Sequence, residues 1–272
     1  MSQYIPKPDA EDINVPPSAP LRDALILLIG FFAIIGAALV IFGLLGAWAA
    51  RNLSPKDEAK LFGTFKLEQK FKQKSEPAFA ALLNQLAGDL PVKSFLLCEK
   101  TPNAFAMPGG TVMVTSGLLK GLKSENGLAF VLGHELGHFV NRDHLLGLGR
   151  GLGMLVVAAF FGVADLDFLG LNIGIEVVGN SFSRQQEAAA DEYALQLVQK
   201  KYGHLSGVEE FFNHILKSEM GWQHQLPSFI STHPNAHDRL QVIHERQAGH
   251  SGRITPLEQR ISQALGDCAE NH

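Results

Sequence analysis

Cysteine is nearly absent: Cys98 and Cys268 are the two present in 272 residues. Two cannot build a cysteine-rich zinc module, nor the disulfide framework of a small secreted scaffold. One bridge between them stays open, although their wide separation gives no hint of it, so the redox compartment is undecided. An excess of positive charge is also missing. Lys and Arg total 23 against 27 Asp and Glu, a net charge of -4, and no basic stripe is visible, so no nucleic-acid partner is expected. Charged residues of both signs make up 18% of the chain against 46% hydrophobic residues, an oily balance for a purely soluble protein. Histidine is absent before position 134; all 11 lie between there and the C-terminus.

Residues 1–20 hold five prolines (Pro6, Pro8, Pro16, Pro17 and Pro20) and little that could be buried, which predicts a disordered tail. From Ala24 to Ala50 the chain carries no charge. A spanning helix needs about 20 apolar residues, so residues 21–51 are expected to form one transmembrane anchor. Arg22 and Arg51 bracket it, and Trp48 stands where an interfacial aromatic would. A cleaved signal peptide is the alternative, because Ala47-Trp48-Ala49 resembles a small-x-small cleavage site. The apolar run is much longer than a signal core of roughly 7–15 residues, which favours the anchor. The expectation is a single pass through the cell (inner) membrane. Lys and Arg are denser after the helix than before it, which would leave the main domain in the cytoplasm. Large domains are translocated regardless of that bias, so the side stays open.

The fold expected is α+β and mainly helical, a zincin-like domain over residues 52–250 with a small β-sheet, then a C-terminal helix and tail over 251–272. Ser54-Pro55-Lys56-Asp57 reads as a helix start, and a further helix is expected near Pro77–Ala87. Residues 92–99 and 103–115 read as strands, the latter turning at Pro108-Gly109-Gly110. Thr255-Pro256-Leu257-Glu258 reads as the start of the last helix, ending at Gly266. Residues 145–180 are apolar and glycine-rich, but Asp165 and Asp167 interrupt them. A buried helical hairpin or a membrane-apposed loop is favoured there over a second span.

Gly127–Asn141 reads GLAFVLGHELGHFVN. Leu128, Val131, Leu132 and Phe139 recur at helical spacing, placing His134 and His138 one turn apart where both imidazoles reach one ion. This is H-E-x-x-H, in which two histidines hold zinc and the glutamate, here Glu135, is the general base. A catalytic zinc needs a third protein ligand. Glu187 is the best candidate, in a run of strong helix formers, with Asp191 four residues on and on the same face. The alanines between them let two helices approach closely. Glu187 would bind the metal, while Asp191 accepts a hydrogen bond from a ligand histidine.

With these residues the chain resembles the HtpX-like and CAAX-prenyl-protease-like gluzincin metallopeptidases, peptidase family M48. The resemblance rests on His134-Glu135-Leu136-Gly137-His138, on Glu187 to Asp191, on Asn103-Ala104-Phe105-Ala106, and on Ser231-Thr232-His233-Pro234 followed by Arg239. It implies one zinc ion per chain, hydrolysis of internal peptide bonds in protein or peptide substrates, attachment to a bilayer, and a role in membrane or envelope protein quality control. It also implies that Asn103, Ala104, Phe105 and Ala106 form an edge strand that pairs with substrate. His233 would stand near the metal's open position, aiding the oxyanion or filling the position in a latent form. Arg239 would stabilise charge or pair with Asp191. One clear span, rather than several, departs from the HtpX pattern. His144, His204, His214, His224, His237, His244 and His250 show no recognisable spacing and read as solvent or packing residues. The rival readings are a non-catalytic, membrane-tethered scaffold with a structural zinc, an enzyme restricted to prenylated C-terminal peptides, and a chance motif in a membrane partner protein.

Overall fold

The computed structural model describes residues 19–62, 77–160, 182–221 and 233–258, together with Ile261, Leu265 and Cys268. The tail expected over the first residues and the helix end at Gly266 lie outside the described residues. Helix α1 runs Pro20–Asn52, with proline in its first turn and Arg51 in its last, and it is long and apolar enough to cross a membrane. Helix α2 (Pro55–Phe62) follows at once. Ser54 caps it by accepting the Asp57 N–H at 3.1 Å, which matches the start read from the sequence.

Helix α3 (Pro77–Ala87) leads into β1 (Lys93–Leu97), β2 (Ala104–Met107) and β3 (Thr111–Thr115). The sheet order is β1-β3-β2, so among the described residues β2 is an edge strand. It pairs antiparallel with β3, Ala104 opposite Val114 and Met107 opposite Thr111, whereas β1 runs parallel to β3. The turn between β2 and β3 depends on Gly110, at φ 82°. A Cβ there would stand 2.2 Å from the Pro91 carbonyl oxygen, so no larger residue fits.

The short α4 (Ser116–Gly121) precedes α5 (Glu125–Val140), the central helix. Ser124 caps α5 by accepting the Gly127 N–H at 3.0 Å. Residues 126–139 are all buried, which is why this helix is apolar around its whole circumference rather than along one stripe. Helices α6 (Asp143–Phe160), α7 (Arg184–Tyr202), α8 (Glu209–Gly221) and α9 (Ala236–Gln247) complete the described elements. The core gathers Phe79 and Leu83 of α3, Val112 and Val114 of β3, Leu128 and Leu132 of α5, and Phe211, Phe212 and Ile215 of α8.

Two sequence-based expectations are corrected, and the cysteine pairing left open is decided. Thr255 to Glu258 are not helical, whereas Ile261, Leu265 and Cys268 are, so the last helix begins after Glu258 rather than at Thr255. The Thr255 N–H donates to Asn126 Oδ1 at 2.9 Å, and Pro256 forms a β-bridge with Ser124, so the segment is spent holding the α5 cap. Cys98 and Cys268 are bonded, with their Cα atoms 5.2 Å apart; tertiary folding unites what the sequence separates. His144 is neither solvated nor mere packing: it is fully buried, with Nε2 2.7 Å from Glu58 Oε1.

Candidate metal centre

Close approach of α5 and α7 creates the site. A Cβ on Gly137 would stand 2.8 Å from Ala190 Cα, and one on Gly133 would stand 3.0 Å from Ala194 Cα. Glycine on one helix and alanine on the other therefore bring the axes near enough for a first-turn glutamate of α7 to face the histidines of α5. The start of α7 is fixed by a capping box: Ser183 Oγ accepts from the Gln186 N–H at 3.3 Å, and Gln186 Oε1 accepts from the Ser183 N–H at 2.9 Å.

His134, His138, Glu187 and His233 each offer a donor atom, and all four atoms lie within 4.8 Å of one another. The two Nε2 atoms of His134 and His138 are 3.1 Å apart. They lie 3.6 Å and 3.4 Å from the Glu187 carboxylate oxygens. Bonds of about 2.0–2.1 Å to a tetrahedral zinc place neighbouring donors roughly 3.3 Å apart, so this set fits one such ion. His233 Nδ1 stands 2.9 Å from Glu187 Oε1 and 3.2 Å from His134 Nε2. It is thus inside the cluster rather than at its margin.

The outer ring nitrogens are fixed by carboxylates. His134 Nδ1 lies 2.9 Å from Asp191 Oδ1, and His138 Nδ1 lies 2.9 Å from Asp143 Oδ2. Each carboxylate can accept a hydrogen bond from Nδ1–H, which leaves the Nε2 lone pair facing the ion position. Arg239 grips Asp191 with Nε and Nη2, both at 2.7 Å, and also pairs with Glu187. Burial would raise the Asp191 carboxyl, but the Arg239 charge and these hydrogen bonds hold it down to about 2, so it remains an acceptor at any physiological pH. Burial would likewise lower His138, yet hydrogen bonds to Asp143 and Glu187 push it up to about 9. Against the burial penalty, His233 and His138 keep Glu187 far below the usual carboxylate range. Burial drives His233 down to about 4, leaving it neutral.

Glu135 differs from the rest. It is 1% exposed, and its Oε1 has no hydrogen-bond partner. Burial raises its pKa, opposed by His134, His138 and a backbone hydrogen bond from Ala106 of β2. Strand β2 therefore passes directly beside it, with Ala104, Phe105 and Ala106 in the strand and Asn103 just before it rather than in it. Asn103 is buried, its N–H donating to Thr115 Oγ1 at 2.8 Å, while the Phe105 side chain packs with Phe95, Met107 and Met113.

The sequence reading missed Asp143, Arg142 and Glu58. Asp143 lies five residues past His138, too far for a helical neighbour. It comes back because Arg142 takes φ 64°, the left-handed region, and reverses the chain. Glu58 of α2 is fully buried at that reversal, receiving Arg142 Nη1 at 2.5 Å, His144 Nε2 at 2.7 Å and the Gly109 N–H at 2.8 Å.

Two packed helices, one with H-E-x-x-H and the other with a converging glutamate, define a zinc metallopeptidase. The chain belongs to peptidase family M48, whose family model matches residues 80–247. Over 175 residues it is 32% identical to metalloprotease LoiP of Escherichia coli (strain K12), covering 62% of this chain and 67% of the relative. Over 165 residues it is 33% identical to mitochondrial metalloendopeptidase OMA1 of Schizosaccharomyces pombe, covering 58% of this chain and 47% of the relative. A putative beta-barrel assembly-enhancing protease of Vibrio cholerae is 27% identical over 172 residues, covering 57% of this chain and 34% of that protein. The matched region thus spans two thirds of LoiP and less than half of OMA1.

Proposed function

We propose that the chain is a membrane-anchored zinc endopeptidase, with His134, His138 and Glu187 as ligands and Glu135 as general base. Zinc, when bound, supplies a Lewis acid that polarises the scissile carbonyl and acidifies water. Glu135 takes the proton of the attacking water and delivers it to the leaving amine. Asp191 and Asp143 hold the ligand rings, and Arg239 holds Asp191. His233, in contact with Glu187, would either join the donor set in a latent form or support the oxyanion. A peptide adding beside β2, the edge strand among the described residues, would pass Glu135, because Ala106 bonds that side chain from the same strand.

The observation that carries this reading is the buried carboxylate of Glu135 beside the donor cluster, its Oε1 without a hydrogen bond and 3.9 Å from His233 Nε2. Leaving such an atom unpaired costs about 1–3 kcal/mol, a cost with no purpose in a structural zinc scaffold. Helix α1 supplies the anchor. Surveillance of membrane or envelope proteins is the process proposed, in keeping with the assembly role that the Vibrio cholerae relative's name carries. Glu135→Gln should keep stoichiometric zinc and lose casein cleavage by about 10²–10⁴-fold. Normal turnover in that variant removes Glu135 as the base, whereas a zinc-loaded wild type that cleaves nothing leaves the scaffold.

A further inference from the structure

Helix α6 does not stay with the soluble domain. It leaves the metal centre at Asp143 and runs back along the anchor. A Cβ on Gly46 of α1 would stand 3.0 Å from both the Leu145 oxygen and Gly149 Cα. One on Gly149 would stand 2.7 Å from the Phe42 oxygen, and one on Gly153 3.3 Å from Leu39. As numbers rise along α6 they fall along α1, so the helices are antiparallel and α6 heads into the apolar half of the anchor. The covered stripe of α1 agrees. Gly46 is buried and Phe42, Ala38, Ile35 and Phe31 are half-buried, at spacings of four, four, three and four, while Leu45, Ile41 and Ile34 are exposed.

Depth follows from helix rise. The charge-free run Ala24–Ala50 is about 40 Å long at 1.5 Å per residue, against a hydrocarbon core of about 30 Å. With exposed Trp48 at the interface, Gly46 lies just inside the bilayer and Leu39 about 10 Å deeper than Gly46. Gly153 is level with Leu39, and seven more helical residues follow it to Phe160. Met154, 58% exposed, faces outward at that depth. Arg150, the one charge beyond the first turn of the helix, is exposed and close enough for its long side chain to snorkel to the headgroups. At the other end Asp143 precedes Leu145 by two residues and touches His138 at 2.9 Å. The metal cluster is thus within roughly 15 Å of the Gly46 level. The chain then returns to its starting point, since Gln186 Nε2 donates to Asp143 Oδ1 at 2.7 Å. A chain that leaves one face and comes back to it crosses the bilayer an even number of times or not at all.

We infer that α6 is a second membrane-inserted helix, docked on the anchor through Gly46 and Gly149, that holds the metal centre at headgroup level and thereby selects membrane-proximal segments of other proteins as substrates. The substrate class rests on the proteolytic reading above; the insertion does not. The test uses the full chain in phosphatidylcholine–phosphatidylglycerol vesicles, with a fluorophore on Met154→Cys and, as control, on Gln241→Cys of exposed α9. Doxyl-labelled lipid should quench position 154 at least fivefold more than aqueous iodide does, with the reverse at 241. Iodide quenching alone at 154 overturns the insertion. The second arm presents one lipid-anchored peptide directly at the membrane or on a linker of roughly 60 Å. Cleavage should be at least tenfold faster without the linker, and equal rates overturn the substrate class. Failure to cleave either peptide or soluble casein overturns the protease reading instead, while the quenching result stands on its own.

Discussion

Asp143 shows how far one side chain can act without touching the ion. Its Oδ2 fixes His138 and its Oδ1 is tied to Gln186 in the first turn of α7, so both ligand helices share it. Losing an outer hydrogen-bond partner of a ligand histidine typically costs 10–100-fold in metal affinity. Asp143→Asn should therefore bind zinc about 10–100-fold more weakly, read by competition with a fluorescent chelator, while thermal unfolding of the zinc-saturated protein changes little. Unaltered affinity would mean that His138 is oriented by packing against Phe182, whose ring stacks on it at 3.9 Å. Glu187 and Asp191 could be read from the sequence because four residues make one helix face. Asp143 could not, because its return depends on the left-handed turn at Arg142, which nothing in an arginine announces.

At the scale of elements, two close contacts decide the geometry. One is α5 against α7. Gly137→Leu would drive a side chain into Ala190, and overpacking of this kind costs about 1–3 kcal/mol. The ligands would separate with the helices, so zinc affinity should fall along with the unfolding midpoint. The other contact is α2, where Glu58 joins the Arg142 reversal to the Gly109 turn beside β2. Burial would raise its carboxyl, but the His144 hydrogen bond and charge, the Gly109 N–H and Arg142 hold it below its ordinary value. A lowered folded-state pKa contributes stability that is present above the unfolded value, near 4.3, and disappears as pH falls through the folded value. Glu58→Gln leaves Arg142 buried without its counter-charge. It should cost about 3 kcal/mol at pH 7, with the gap to the wild type closing below about pH 4. Denaturant unfolding at both pH values checks this. The capping serine of α2 was legible, but the use of Glu58 was not. An acid in a helix's first turn reads as a dipole partner, and the cation it serves lies 84 residues away.

For the whole molecule, the sequence left the membrane face open, with the charge bias pointing to the cytoplasm. The Cys98–Cys268 bridge points the other way. It ties the segment just after β1 to the C-terminal part of the chain across 170 residues, and bridges of this kind form and persist in oxidising compartments. The charge rule is weak for a large domain following an anchor, which is translocated largely regardless of it; thiol chemistry has no such exemption. The metal centre is therefore expected on the oxidising face. In unreduced cells the two cysteines should resist a thiol-reactive polymer until a reductant is added, and an externally added protease should digest the domain once the outer barrier is opened. Closing so long a loop removes unfolded-state entropy, so Cys98→Ser should lower unfolding stability by about 2–5 kcal/mol. That loss should match the effect of reductant on the wild type and be absent when reductant is added to the variant. Free thiols in unreduced cells, with the domain sealed from protease, would return it to the reducing side. The bridge would then have to close after the protein leaves that compartment.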